Sequence, residues 1–426
     1  MCGISGIYRF DGKNVEEHLI AGQLDVIKHR GPDGSGVWVK NHVGLGHVRL
    51  AVIELSEYGA QPMKDRDNKY TITYNGETYN YEELRAGLHR SIRYSGTSDT
   101  EVILHGLIRK GASFVKEMEG MFAFAFYDSD SDQMLLARDP FGIKPLYYHK
   151  NNNRIIFASE IKPLLLDPET EVKPNEEAIK EHLVLGYALE PKTAFEGIFK
   201  LPPASIMTIN KSGITIEKYW DIAALLNKKD GSFDEQFNDS VVKHSIADVP
   251  LGIFLSGGFD SNIILQSLAS HNKIDEGFRA YNAGMDSTGK TERLTERNIA
   301  RISSKKFNAK LVEIGLKEEK FITFEDVIKT AEEPICNPSN ILIEYITKIA
   351  RDSGNKVLLS GHGGDEIFGG YRRHIAARYL KFLKTPLGSM ALGIFKSRIS
   401  ENYYFRLKNA IRKHNIQPCF DLIALG

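Results

Sequence analysis

The chain has 426 residues, of which 42% are hydrophobic and 26% charged, enough for two folded units with well-filled cores. Lys+Arg and Asp+Glu number 55 each, which excludes an overall basic field for nucleic acid and an acidic tail. The three cysteines, Cys2, Cys336 and Cys419, are too few and too scattered for a disulfide framework or a zinc knuckle, and they fit a reducing cytoplasm. The opening "MCGISGIYRF" lacks the basic flank and apolar run of a signal peptide, and no window approaches the ~18 apolar residues of a membrane span. The expectation is a cytoplasmic protein with small-molecule partners, no nucleic acid and no membrane insertion; a homodimer is allowed but not specified.

Cys2 comes first. Removal of Met1 would leave a thiol and a free α-amine on one residue, so that the amine could take the thiol proton and a thiolate could attack. Taken alone, a small buried cysteine in a first strand explains it as well. Val15, Leu19, Leu24 and Ile27 then share one side of a helix over 15–27. Apolar residues recur at every second position in "VGLGHVRLAVI", "YTITYNG", "MFAFAFYD" and "QMLLARD", which predicts strands, with "DSDSD" as a hairpin turn. Between them "TSDTEVILHGLIRKG" opens with a Ser98…Glu101 capping box and closes at Gly111. A last hairpin turns at Lys211 to Gly213, and polar "NKKDGSFDEQ" follows, so the chain divides into 1–215 and 216–426.

Beyond the division, strand and helix alternate: "VPLGIFL", a helix from Ser261, "FRAYNAG", a helix over Thr295 to Phe307, "KLVEI", helical stretches to Asp352, and "KVLLS". That order predicts a parallel sheet wrapped by helices, with ligands at the carboxyl ends of its strands. In "FLSGGFDSN", Gly257 and Gly258 let the backbone approach an anion while Ser256, Ser261 and free helix amides donate to it. An ordinary βα turn would carry the same glycines. Asp260 favours the phosphate cradle, because a carboxylate there calls for a divalent cation between it and the phosphate. A second cluster, "LLSGHGGDEIFGGY", brings Asp365 and Glu366 to another strand end. Asp260 and Asp365 would then hold Mg²⁺ on the phosphates of an ATP split to AMP and pyrophosphate; helix capping is the alternative for Asp365 and Glu366.

"SGGFDS" resembles the signature of the PP-loop ATP pyrophosphatases. With "SGHGGDEIFGGY", "MCGI", "HRGPDGSG", "GHVRL", "YNGETYNY", "RDPFGIKPLYY" and "FASEIKPLL", the chain resembles the glutamine-hydrolysing asparagine synthetases as far as about Tyr371. The resemblance implies an α+β glutaminase domain, a four-layer αββα sandwich of antiparallel sheets with an amino-terminal nucleophile, followed by an α/β synthetase domain. It implies Cys2 as nucleophile, the Asn75 side chain and Gly76 amide as oxyanion donors, Arg49 for the glutamine α-carboxylate, and Glu77 and Asp99 for the α-ammonium. It places Leu255, Ser256, Gly257, Gly258, Asp260, Ser261, Ala283, Ser360 and Gly361 around ATP. The expected substrates are L-glutamine, ATP with Mg²⁺, and L-aspartate, and ammonia passes between the two sites through an apolar passage.

Two departures stand out. His362 takes the place where the family carries a Glu tied to acyl-adenylate formation and proton acceptance; imidazole also accepts a proton. After Tyr371 neither the "R-x-P-F-L-D" block nor a downstream lysine of the family is found, so the carboxyl-terminal part is expected to be missing. These departures keep two other readings open: amidation of another carboxylate, such as a surface-sugar or peptide precursor, and a form retaining only glutaminase activity.

Overall fold

The computed structural model describes residues 1–89, 92–225, 231–284, 296–315, 330–334, 339–388 and 390. Cys336, Cys419 and the tail after 390 lie outside the described residues.

Period-two strands build two antiparallel sheets. The first has the spatial order β10 (Ile198–Lys200), β8 (Tyr147–Lys150), β9 (Arg154–Ala158), β1 (Gly3–Arg9), β3 (Val43–Arg49), β2 (Gly34–Lys40). The second runs β12 (Gly213–Lys218), β11 (Ser205–Asn210), β7 (Gln133–Arg138), β6 (Gly120–Asp128), β5 (Tyr70–Thr78), β4 (Met63–Lys64). The register Ile4↔His47 in the first sheet and Asn75↔Ala123 in the second fixes which residues share a face. Ile4, Tyr8, Val43, Leu45 and Phe157 meet Ala123, Ala125, Met134 and Leu136 between the sheets. Alternate residues face outward: Ile7, Val48 and Ile156 meet Ile20, Leu24 and Ile27 from α1 (Glu17–Asp25) and its end, joined by Leu164 of α4 (Lys162–Leu165). Ile72, Tyr74, Phe122 and Phe124 meet Ile103, Leu104 and Leu107 of α3 (Asp99–Lys110). The layers are therefore helix, sheet, sheet, helix, each large side chain contributing about 1.5–3 kcal/mol on burial. Gly44 and Gly46 allow α1 to close on the sheet, since a Cβ at either would lie 2.9 Å and 2.7 Å from Ile20.

One local expectation fails. Ser98 caps α3, but its hydroxyl accepts from Thr100 N at 3.1 Å, while the Glu101 carboxylate accepts from Ser95 N at 2.7 Å and Gly96 N at 3.0 Å. The entering loop turns its own unsatisfied amides toward Glu101, and two charge-assisted bonds there replace the single reciprocal bond of a capping box.

The third sheet is parallel throughout, in the order β15 (Lys310–Gly315), β14 (Arg279–Gly284), β13 (Leu251–Phe254), β16 (Val357–Leu359). Ile253, Leu255 and Ala280 pack beneath Val241 of α6 (Phe233–His244), Leu265 and Leu268 of α7 (Phe259–Ser270) and Ala300 of α8 (Glu296–Lys306). Tyr281 and Ile314 pack against Ile346 and Ala350 of the helix Ser339–Asp352 on the opposite face. Among the described residues no helix is long and apolar enough to cross a membrane.

Candidate active site

The alternation that fills the sandwich also aims its polar residues. On β1 the face carrying Ile4 and Tyr8 extends to Cys2; on β3 the face of Val43 and Leu45 extends to His47 and Arg49; on β5 the face of Thr73 extends to Asn75 and Glu77. Thr73 marks that face as the inter-sheet one, its hydroxyl donating to Gly46 O at 3.0 Å. Four of the residues singled out in the sequence therefore converge at one end of the space between the sheets.

The Cys2 sulfur accepts from Leu50 N at 3.4 Å and its S–H donates to Leu50 O at 3.6 Å. Burial pushes the thiol up from its ordinary value, against the Leu50 bond and the nearby positive charges of the chain terminus and Lys144. Burial also lowers the terminal amine, which here belongs to Met1, to about 5. With its pKa raised, Cys2 rests as a neutral thiol, and charge appears on the sulfur only when its proton moves.

Asn75 is 1% exposed, and its Nδ2 has no hydrogen-bond partner among the described residues. A buried donor left unmatched costs about 1–3 kcal/mol, so its retention points to an acceptor that arrives with a ligand. Gly76 admits no side chain: a Cβ would sit 2.5 Å from Met121 O across the ladder. Burial raises Glu77 to about 7 and Asp99 to about 6. Asp99, in the first turn of α3, accepts from Thr78 N at 3.1 Å, which brings it beside Glu77. The Arg49 guanidinium donates to Ser56 O at 2.8 Å and to Glu54 O; the curled loop 50–59 holds it at the rim.

Lys144 and Arg30 belong to this cluster, although only their motifs stood out in the sequence. Burial lowers Lys144, opposed by the negative charge of Glu77, and Arg30 and Cys2 act on it as well. Asp139 builds the turn that delivers it, accepting from Phe141 N and Ile143 N at 3.0 Å each and from Lys144 N at 2.9 Å. Arg138 clamps the same turn, donating to Lys144 O at 3.0 Å and to Gly142 O at 2.7 Å, with Gly142 at φ 65°. A lysine in a glycine turn between two apolar strands was the available signal.

A second set of predicted residues gathers at the carboxyl ends of β13, β14 and β16, which are neighbours in the sheet. Leu255 N donates to Tyr281 O at 2.8 Å, and Ala283 lies on β14. Ser256 Oγ is 3.1 Å from Ser261 Oγ and accepts from Gly258 N at 3.1 Å, a hydroxyl and amide cradle opening α7. Gly257 has φ 85° and packs on Glu296 O, where no side chain fits. From β16 come Ser360, Gly361 and His362; a Cβ on Gly364 would lie 2.5 Å from Asp260 Oδ2, so the second glycine cluster rests directly on Asp260. Burial and the negative charges of Asp365 and Glu366 raise Asp260. His362 Nδ1 is 3.1 Å from Ser360 Oγ. Among the described residues no three His, Cys, Asp or Glu side chains are grouped to hold a metal by themselves.

The glutamine amidotransferase domain family matches residues 1–220, and the asparagine synthase family matches residues 232–417. Asparagine synthetase [glutamine-hydrolyzing] 3 of Bacillus subtilis is 34% identical over 393 residues, 87% of this chain and 63% of that protein. A Methanocaldococcus jannaschii relative is 34% identical over 414 residues, 90% of this chain and 78% of its own length. Amidase chry2 of Gibberella zeae is 30% identical over 410 residues, 87% of this chain and 59% of its own. The chain spans just under two thirds of the length of the Bacillus subtilis relative. With both families matched in order and this identity over nine tenths of its length, the chain belongs to the glutamine-hydrolysing asparagine synthetase family.

Proposed function

We propose that the chain is an ATP-dependent glutamine amidotransferase making L-asparagine from L-aspartate, with the two activities divided after residue 215. Cys2, its proton taken by the terminal amine, attacks the side-chain amide of glutamine. The Asn75 side chain and Gly76 amide receive the oxyanion, while Arg49 binds the α-carboxylate and Glu77 and Asp99 the α-ammonium. The protonated terminal amine returns that proton to the amide nitrogen as the tetrahedral intermediate collapses, expelling ammonia and leaving a thioester, and water then releases glutamate and frees the thiol. The observation that carries this reading is the buried, unmatched Asn75 Nδ2 on the inter-sheet face that also presents Cys2.

At the second site Ser256, Gly257, Gly258 and Ser261 cradle the pyrophosphate of ATP, and Leu255, Ala283, Ser360 and Gly361 border the nucleotide. Asp260 and Asp365, close enough that one carboxylate raises the other, fit a Mg²⁺ held by one or two carboxylates and by substrate phosphates; the cation would neutralise charge on the leaving pyrophosphate. Adenylation gives the acceptor carboxylate a leaving group, and ammonia displaces AMP to form the amide. His362 takes the proton that ammonia sheds. In the tautomer whose Nδ1–H donates to Ser360 Oγ, 3.1 Å away, Nε2 holds the lone pair for that work.

A second reading, amidation of a different carboxylate, is favoured by His362 standing where the family has a Glu. Pyrophosphate and glutamate release by the full chain, with glutamine, ATP, Mg²⁺ and a panel of carboxylates beginning with L-aspartate, decides between them. Turnover with aspartate supports the first reading and turnover with another acid alone the second. Glutamate release without pyrophosphate for every acid leaves a glutaminase, and release of neither product rejects both.

A further inference from the structure

Once Met1 is removed, Cys2 is tethered by a peptide bond on one side only, so its direction must come from non-covalent contacts. Cys2 precedes the first paired residue of β1, and its carbonyl accepts from Arg30 Nε at 3.0 Å. Arg30 Nη1 in turn lies 3.0 Å from Glu160 Oε1, which His29 Nε2 shares at 2.8 Å, and Glu160 Oε2 lies 3.0 Å from Lys162 Nζ. The series does not stop at the sandwich. Ile161 N and Lys162 N both donate to the Glu332 carboxylate at 2.7 Å, and Lys162 Nζ is 3.7 Å from Glu332 Oε1.

Glu332 lies within the residues matched by the asparagine synthase family. The side chains of Arg30, Glu160 and Glu332 are only 10%, 8% and 8% exposed, and that of Lys162, which joins the two carboxylates, is 30% exposed, so the series runs through a poorly solvated environment with Lys162 at its edge. Two features show that Glu332 is placed rather than incidental. It adopts φ 61°, a conformation a residue with a Cβ holds only when its surroundings impose it. The segment it grips is also tied to the start of β1, where Ile4 N donates to Ser159 Oγ at 3.0 Å and Ser159 N to Ile4 O at 2.9 Å. Its neighbour Glu333 makes a separate clasp, accepting from Ala194 N at 3.0 Å and pairing with Lys200 Nζ at 3.0 Å.

We propose that Glu332 is a positioning residue for Cys2, acting across the interface through Lys162, Glu160 and Arg30, so that seating of the synthase region on the sandwich sets the orientation of the nucleophile. The proposal rests on the reading of Cys2 as the glutaminase nucleophile. The test measures glutamine hydrolysis by the full chain, without ATP or acceptor, for wild type and for Glu332→Ala, Glu332→Gln and Glu333→Ala, together with the rate at which iodoacetamide alkylates Cys2.

Glu332→Ala is expected to lower kcat about ten-fold while KM stays within about two-fold, because a misaimed nucleophile reacts poorly with a normally bound substrate. Glu332→Gln, still able to accept one of the two amides, should recover part of the loss, and Glu333→Ala should match wild type. Alkylation of Cys2 should slow in the same order. Equal losses in Glu332→Ala and Glu333→Ala would show a general interface effect and overturn the proposal, as would wild-type kcat in Glu332→Ala. If Glu332→Ala does not fold, Glu332→Gln against Glu333→Ala makes the same comparison. If wild type hydrolyses no glutamine, the functional reading fails, and unequal alkylation rates still decide whether Glu332 positions the sulfur.

Discussion

In the sandwich, Asn75, Asp99 and Lys144 are all buried, and burial dominates the titration of Glu77, Asp99 and Lys144. At the ends of the parallel sheet, Ser256, His362 and Glu366 are exposed, and Asp260 and Asp365 half-buried. The difference follows from the ligands proposed for each. A glutamine amide is neutral until it is attacked, so its donors have to be fixed beforehand in a site where water cannot compete. A nucleotide brings several negative charges and a cation with it, so a shallow rim of backbone amides, hydroxyls and two carboxylates suffices. The two sites can therefore be disabled separately, and the variants that do so differ in how much they remove.

The largest effect belongs to Cys2→Ala. Removing the nucleophile should abolish glutamine hydrolysis, a loss of about 10³-fold or more, while pyrophosphate release supported by an ammonium salt stays near wild type. Loss of both activities would mean that the two regions do not work separately. Asn75→Ala keeps the nucleophile but removes the buried donor; kcat for hydrolysis should fall about 10²–10³-fold with little change in KM. A rise in KM alone would make Asn75 a ground-state contact. On the other side, Asp260→Asn should shift the Mg²⁺ dependence of pyrophosphate release upward by about 10- to 100-fold and leave glutamate release untouched.

The same contrast explains what could be read from the sequence. Strand periodicity around "VGLGHVRL" and "YTITYNG" is enough to put Arg49 and Asn75 on the faces they occupy, because alternation in a sheet is rigid. The glycine turn at 256–261 was legible because it lies between a strand and a helix on contiguous residues. Lys144 and Arg30 were not singled out: each looks like a surface cation until the sheets close over it. Their partners Cys2 and Glu77 are remote in sequence, and a lone sequence carries no signal for such pairings. Glu101 shows the opposite failure. Its spacing from Ser98 fits a capping box, yet a loop folding back at Ser95 and Gly96 offered the carboxylate more bonds.

The smallest effect is also the most direct probe of the low-dielectric site. Burial raises Glu77 from 4.5 to about 7 and Asp99 from 3.8 to about 6. A carboxyl raised in this way stays protonated to higher pH, so below about pH 6 both are neutral and offer no charge to the α-ammonium of glutamine. The kcat/KM for hydrolysis, which reports the free enzyme, should therefore fall by about ten-fold as pH drops from roughly 8 to 6. Because bound ammonium favours the ionised carboxylates, kcat should inflect at lower pH than kcat/KM. Glu77→Gln removes the inflection near neutrality, and linkage gives it a second signature. The stability that Glu77 contributes is lost as pH rises from about 4.5 through 7, since ionising it costs more in the folded than in the unfolded state. The Gln variant should thus gain melting temperature over wild type at about pH 8 and gain little at about pH 4. A profile flat between about pH 6 and 8, with no pH-dependent gain in stability, would mean that water reaches Glu77 and that the two sites treat charge alike.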